Sequence, residues 1–136
     1  MQEPSSNELG LDPANESPFK GKTGLRRLIN ALGYSLEGMM SALRHEEAFR
    51  QELLLAAVLI PAALLSPVTA LAKALMIACV LLVLIVELLN SGIEAAVDRI
   101  SLENHALAKR AKDIGSAAVF LSLVNLAVVW ALVLFG

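Results

Sequence analysis

Residues 114–135 read IGSAAVFLSLVNLAVVWALVLF, a run without a charged side chain. About 20 apolar residues carry a helix across a hydrocarbon core, and there every backbone N–H and C=O must be satisfied within the segment. This run therefore points to a helical membrane protein. Two further apolar segments precede it. Residues 53–65, LLLAAVLIPAALL, end at the turn-like Ser66-Pro67 and are too short to span alone. Extended back through AFRQE, residues 48–52, they make a span whose Arg50 and Glu52 snorkel toward one interface. Pro61 is expected to bend or loosen this helix. The second segment runs from about 68 to 97 and is driest at 74–86. The composition agrees: 57% of the 136 residues are hydrophobic and 18% charged, which a soluble domain of this size rarely shows. The expected fold is an all-α integral membrane protein with transmembrane segments at about 48–66, 68–97 and 114–135.

Charge sets the orientation. Counting Arg50 at its interface, ten of the eleven Lys/Arg residues lie before the first span or between the second and third, and only Lys73 lies on the other side. The positive-inside rule then puts the N-terminus and the 98–113 loop in the cytoplasm, and the 66–70 turn and C-terminus outside. Residues 25–44, LRRLINALGYSLEGMMSALR, place Leu25, Leu28, Ile29, Leu32, Leu36, Met39 and Leu43 on one helical side, with Arg26, Arg27, Asn30, Ser41 and Arg44 largely elsewhere. They predict an amphipathic helix lying along the inner surface. Residues 1–23 form a polar tail rich in Pro, Asn, Ser and Glu, expected to be disordered. The tail lacks a basic stretch followed by an apolar run, so it does not read as a signal peptide. A net charge of −2 and the lack of a base-reading motif argue against a nucleic-acid partner. Cys79, the lone cysteine, lies inside an apolar run and reads as a packed thiol.

The chemistry-bearing feature is VELLNSGIEAAVDR, residues 86–99, at the end of the second apolar run. On a helix Glu87, Asn90, Ser91, Glu94 and Asp98 share one side. Lipid cannot face that side. A buried carboxylate needs a cation, a proton or a dense set of donors. Three readings remain open on the residues alone: a polar seam fixing helix register, a proton or cation pathway, and a Mg²⁺–phosphate site, since Mg²⁺ uses few carboxylates and completes its shell with water and phosphate oxygens. The neighbouring segment RISLENHALAKRAKD, residues 99–113, brings Arg99, His105, Lys109, Arg110 and Lys112, which suit a nucleotide phosphate tail. No GxxxxGK[ST] occurs, so a P-loop is excluded. Small residues such as Ala56, Ala63, Gly92, Gly115 and Ala118 permit close helix contacts and make a homo-oligomer with sites between subunits reasonable.

Four stretches, GLRRLINALGYS at 24–35, EEAFRQE at 46–52, VELLNSGIEAAVDR at 86–99 and AKDIGSAA at 111–118, closely resemble the bacterial integral-membrane diacylglycerol kinase family. The resemblance covers nearly everything from residue 24 onward. It implies a homotrimer of subunits with three transmembrane helices and a surface helix, placed in the bacterial inner membrane. It further implies composite active sites near the cytoplasmic interface that transfer the γ-phosphate of MgATP to diacylglycerol. By this resemblance Glu87 is the general base, Glu94 and Glu46 are the Mg²⁺-binding carboxylates, and Arg27 and Tyr34 line the nucleotide and lipid pocket. Glu103, Asn104 and His105 match the segment that holds ATP, Lys112 and Asp113 a second nucleotide-binding pair, and Glu52 and Ser116 positions near the lipid headgroup. Asn90 and Asp98 support the carboxylates and the loop. The family more often has an aromatic residue at 104, a small one at 47 and Trp at 36, where this chain has Asn104, Glu47 and Leu36. Two alternatives accompany the reading: an undecaprenol kinase on the same scaffold, and a non-catalytic ion-pathway or assembly protein.

Overall fold

The computed structural model describes residues 20–100 and 105–136. The expected disorder of residues 1–19, and Glu103 and Asn104, lie outside the described residues. Four helices follow in order: α1 (Lys20–His45), α2 (Glu47–Leu65), α3 (Ala70–Ile100) and α4 (His105–Phe135). The last three are each long and apolar enough to cross a membrane.

Three boundaries differ from the sequence expectation. Helix α1 begins at Lys20, inside the stretch read as tail. Helices α3 and α4 continue beyond their apolar cores, so the basic residues of 105–113 stand on a helical extension of α4 and not on a loop. Nothing in 105–113 opposes a helix: the stretch contains neither Gly nor Pro, and Ala, Leu, Lys and Arg are strong helix formers. Helix α2 runs through Pro61 as one element.

The chain divides into two units, one ending at Gly38 and one spanning Met39–Gly136. In the first, Leu25, Leu28, Ile29, Leu32 and Leu36 of α1 are exposed. Leaving such side chains in water costs roughly 1.5–3 kcal/mol each relative to burial.

In the second unit α3 is the central helix, packing on both α2 and α4. Its buried side chains are Met76, Cys79, Val80, Val83, Glu87 and Asn90. They recur every three or four residues, so the acidic stripe continues the same helix face that forms the apolar core nearer the other end. Small residues on the flanking helices, Ala56 and Ala63 on α2 and Gly115 and Ser122 on α4, are buried. Their spacing of seven keeps them on one side of each helix and lets backbones come close.

Polar contacts fix the ends. The Trp130 indole donates to the Met76 carbonyl at 3.2 Å, and Lys112 pairs with Asp98 at 2.5 Å near the opposite end of the α3–α4 pair. At the α2–α3 turn the Ser66 hydroxyl donates to the Ala63 carbonyl at 2.6 Å, and Lys73 donates to the Leu64 carbonyl at 2.9 Å. Lys73 thus closes a helix C-terminus, where positive charge is favoured. The Thr69 hydroxyl accepts the Ala72 N–H at 3.2 Å, the geometry of an N-cap on α3.

Candidate active site

Where the α3 stripe turns from apolar to acidic, a cavity of about 250 Å³ opens, and Glu46, Glu52, Glu87, Asn90, Glu94 and Ser116 line it. Each arrives for a local reason. Glu87 and Asn90 occupy core positions of α3 and retain only 4% and 8% exposure. Glu94 follows one turn later and is half-buried. Glu52 sits one turn into α2 from the buried Phe49 and lines the same cavity as Glu87. Ser116 follows the buried Gly115 of α4.

Glu46 arrives by a different route. It is the single non-helical residue between α1 and α2, with an extended backbone at φ −112° and ψ 107°. It occupies the N-cap position of α2, yet its side chain makes no capping hydrogen bond. A carboxylate there is favoured by the positive end of the helix, and it remains available to the cavity.

Four carboxyl groups therefore share one small space, and no Lys or Arg is among the described residues lining it. Such a cluster calls for a cation or protons between its members. Two of its oxygens are conspicuous: Glu52 Oε2 and Asn90 Oδ1 are buried without a hydrogen-bond partner. The Asn90 amide nitrogen donates to Glu94 Oε1 at 3.4 Å, a long bond. Its Oδ1 packs against Gly115, so closely that a Cβ at 115 would overlap it. The donor set is all hard oxygen, which suits Mg²⁺. Among the described residues no three His, Cys, Asp or Glu side chains form a ready-made metal cage. Mg²⁺ does not require one, because it is usually held by one or two carboxylates plus water and phosphate oxygens. The residues present fit that ion.

The other expected site residues are placed as follows. Lys112 is partly buried and its ion-pair partner is Asp98 of α3. Asp113 pairs with Lys109 at 2.6 Å, one helical turn back, and both are exposed. The adjacent Lys112 and Asp113 point about 100° apart on the helix, so Asp113 takes its i−4 neighbour and not Lys112. Exposed pairs of this kind are screened by water and hold their partners weakly. His105 is exposed at the first position of α4. Arg27 and Tyr34 are exposed on α1, within the first unit. Glu46, Glu87, Glu94 and the Lys112–Asp98 pair all belong to one chain's second unit. Sequence reasoning read Gly115 only as a small packing residue. Its position directly before Ser116 was the available signal, but the contact with Asn90 needs the α3–α4 register.

A family model described as prokaryotic diacylglycerol kinase matches residues 33–134. The chain belongs to the prokaryotic diacylglycerol kinase family. It is 61% identical over 120 residues to a protein of Pseudomonas aeruginosa named diacylglycerol kinase, covering 88% of this chain and 98% of that one. Proteins of the same name from Haemophilus influenzae and Escherichia coli K12 are 50% and 45% identical, covering 83% and 84% of this chain and 96% and 93% of theirs. The family match takes in the whole acidic cavity and Tyr34, while Arg27 precedes it.

Proposed function

We propose that this chain is a lipid kinase of the bacterial cytoplasmic membrane that moves the γ-phosphoryl group of MgATP onto the hydroxyl of diacylglycerol, giving phosphatidic acid. The observation that carries the reading is the cavity in which Glu46, Glu52, Glu87 and Glu94 meet, in a chain of the diacylglycerol kinase family.

Glu87 is the general base. Its carboxylate takes the hydroxyl proton as the lipid oxygen attacks the γ-phosphorus in line and the bond to the departing ADP oxygen breaks. No covalent enzyme intermediate is required. Glu52 and Ser116 hold the lipid headgroup beside Glu87. Glu46 and Glu94 hold Mg²⁺, which when bound offsets charge on the phosphate oxygens. Asn90 steadies Glu94 through its amide. Lys112 leaves Asp98 to clamp a phosphate, and Arg27, Tyr34, Glu103, Asn104, His105 and Asp113 complete the nucleotide site. The chain works as a homotrimer in which neighbouring copies complete each site, with N-terminus and nucleotide side in the cytoplasm and α1 on the inner membrane surface. The exposed apolar side of α1 and the clustering of Lys/Arg on one side of the membrane support this arrangement.

The test offers purified protein diacylglycerol and undecaprenol separately with MgATP and follows labelled phosphate into lipid. Phosphatidic acid is the expected product. Transfer only to undecaprenol would change the acceptor, and transfer to neither would return the cavity to the ion-pathway or assembly reading.

A further inference from the structure

The corner that delivers Glu46 to the cavity is held from one residue, Arg50. Helix α1 ends at His45, and the last four carbonyls of any α-helix lack partners within it. Here Ala42 O accepts the Glu46 N–H at 2.9 Å. The next two carbonyls are taken by a side chain from the other helix: one guanidinium nitrogen of Arg50, Nη1, donates to Leu43 O at 2.9 Å and to Arg44 O at 3.2 Å. The same residue's backbone N–H donates to Glu46 O at 3.3 Å, opening the hydrogen-bond ladder of α2. Arg50 therefore grips the chain on both sides of Glu46, by its side chain before and its backbone after. A cation at the negative end of α1 also suits the helix dipole. Glu46 has no side-chain capping bond of its own to fix its direction. With one non-helical residue in the connection, a change in the angle between α1 and α2 falls on the φ and ψ of Glu46 and swings its carboxylate relative to Glu94.

We propose that Arg50 is a positioning residue for metal binding, acting through Glu46 by locking the α1–α2 corner. The proposal rests on Glu46 being a metal ligand in the site proposed above. Arg50 is not among the described residues that line the cavity, so its effect on the metal runs through Glu46.

The experiment is a double-mutant cycle on Mn²⁺ affinity, measured by electron paramagnetic resonance on protein in micelles with a non-hydrolysable ATP analogue. Arg50→Gln should weaken Mn²⁺ by about tenfold, the scale seen when residues supporting a metal ligand are lost. Arg50→Lys, which keeps the charge and a donor, should recover part of that loss. In a Glu46→Gln background Arg50→Gln should change Mn²⁺ affinity by less than twofold, because the residue it positions is already gone. The melting temperatures of Arg50→Gln and Arg50→Lys in micelles identify variants that fold. Equal losses in the two backgrounds would overturn the proposal, as would unchanged Mn²⁺ affinity in folded Arg50→Gln. If Arg50→Gln does not fold, the comparison moves to Arg50→Lys in both backgrounds with the same criterion. The wild-type lipid phosphorylation assay is read separately, so failure of the kinase reading is distinguishable from failure of the Arg50 assignment.

Discussion

Replacing Gly115 with alanine should damage the site more than the fold. An added Cβ would overlap Asn90 Oδ1 and lie 3.3 Å from Asn90 Cγ. Asn90 is only 8% exposed, so its amide has little room to yield. It must rotate, and rotation gives up the 3.4 Å bond to Glu94 Oε1. Overpacking of this kind costs about 1–3 kcal/mol. Alanine in place of glycine inside a helix returns about 1 kcal/mol, so the net loss of stability is roughly 0–2 kcal/mol. The lost alignment of Glu94 acts on the chemistry, where a misplacement near 1 Å costs on the order of 10²-fold. Thermal denaturation in micelles, beside a lipid phosphorylation assay, should show a small fall in stability with a fall in turnover of about 10- to 100-fold. Alanine at 115 should cost less stability in an Asn90→Ala background, which removes both clashing atoms. Full activity with unchanged stability in Gly115→Ala would refute the contact and the role given to Asn90.

Glu46→Gln and Glu94→Gln should each raise the Mg²⁺ needed for half-maximal activity, with partial recovery at high Mg²⁺, because each removes an anionic oxygen. An unchanged Mg²⁺ dependence in both would exclude the pairing. Trp130→Phe loses the bond to the Met76 carbonyl and should lower stability by about 1 kcal/mol while leaving turnover within about twofold. A turnover loss beyond that in folded protein would tie the end of the α3–α4 pair away from the cavity to the chemistry. Glu46 and Glu87 meet within one chain, so in the proposed homotrimer mixed assemblies of inactive Glu46→Gln and inactive Glu87→Gln subunits should stay inactive. Recovered activity after confirmed co-assembly would mean that the two residues reach one site from different copies.

The α3 stripe was legible in sequence because a helical period of 3.6 is a local rule, and Glu87, Asn90 and Glu94 obey it. The same rule marked α1 as amphipathic and found three spans. Glu46 was legible only by resemblance, since its meeting with Glu94 depends on a one-residue corner between helices that periodicity does not encode. The extension of α4 through residues 105–113 was missed because hydropathy marks where the membrane ends, not where the helix does. Gly115 and Arg50 needed tertiary geometry. One is defined by an atom on another helix, the other by carbonyl groups at a helix end, and backbone acceptors leave no trace in residue type.

The central claim is that Glu87 performs base chemistry in a lipid kinase. The most direct measurement compares wild type with Glu87→Gln, both confirmed as folded trimers, for transfer of labelled γ-phosphate from MgATP to diacylglycerol. The substitution keeps size and most packing while removing the proton acceptor. Phosphatidic acid formation by wild type with a loss of about 10²-fold or more in the variant is the predicted result. Near-normal turnover in a correctly assembled Glu87→Gln trimer would contradict it.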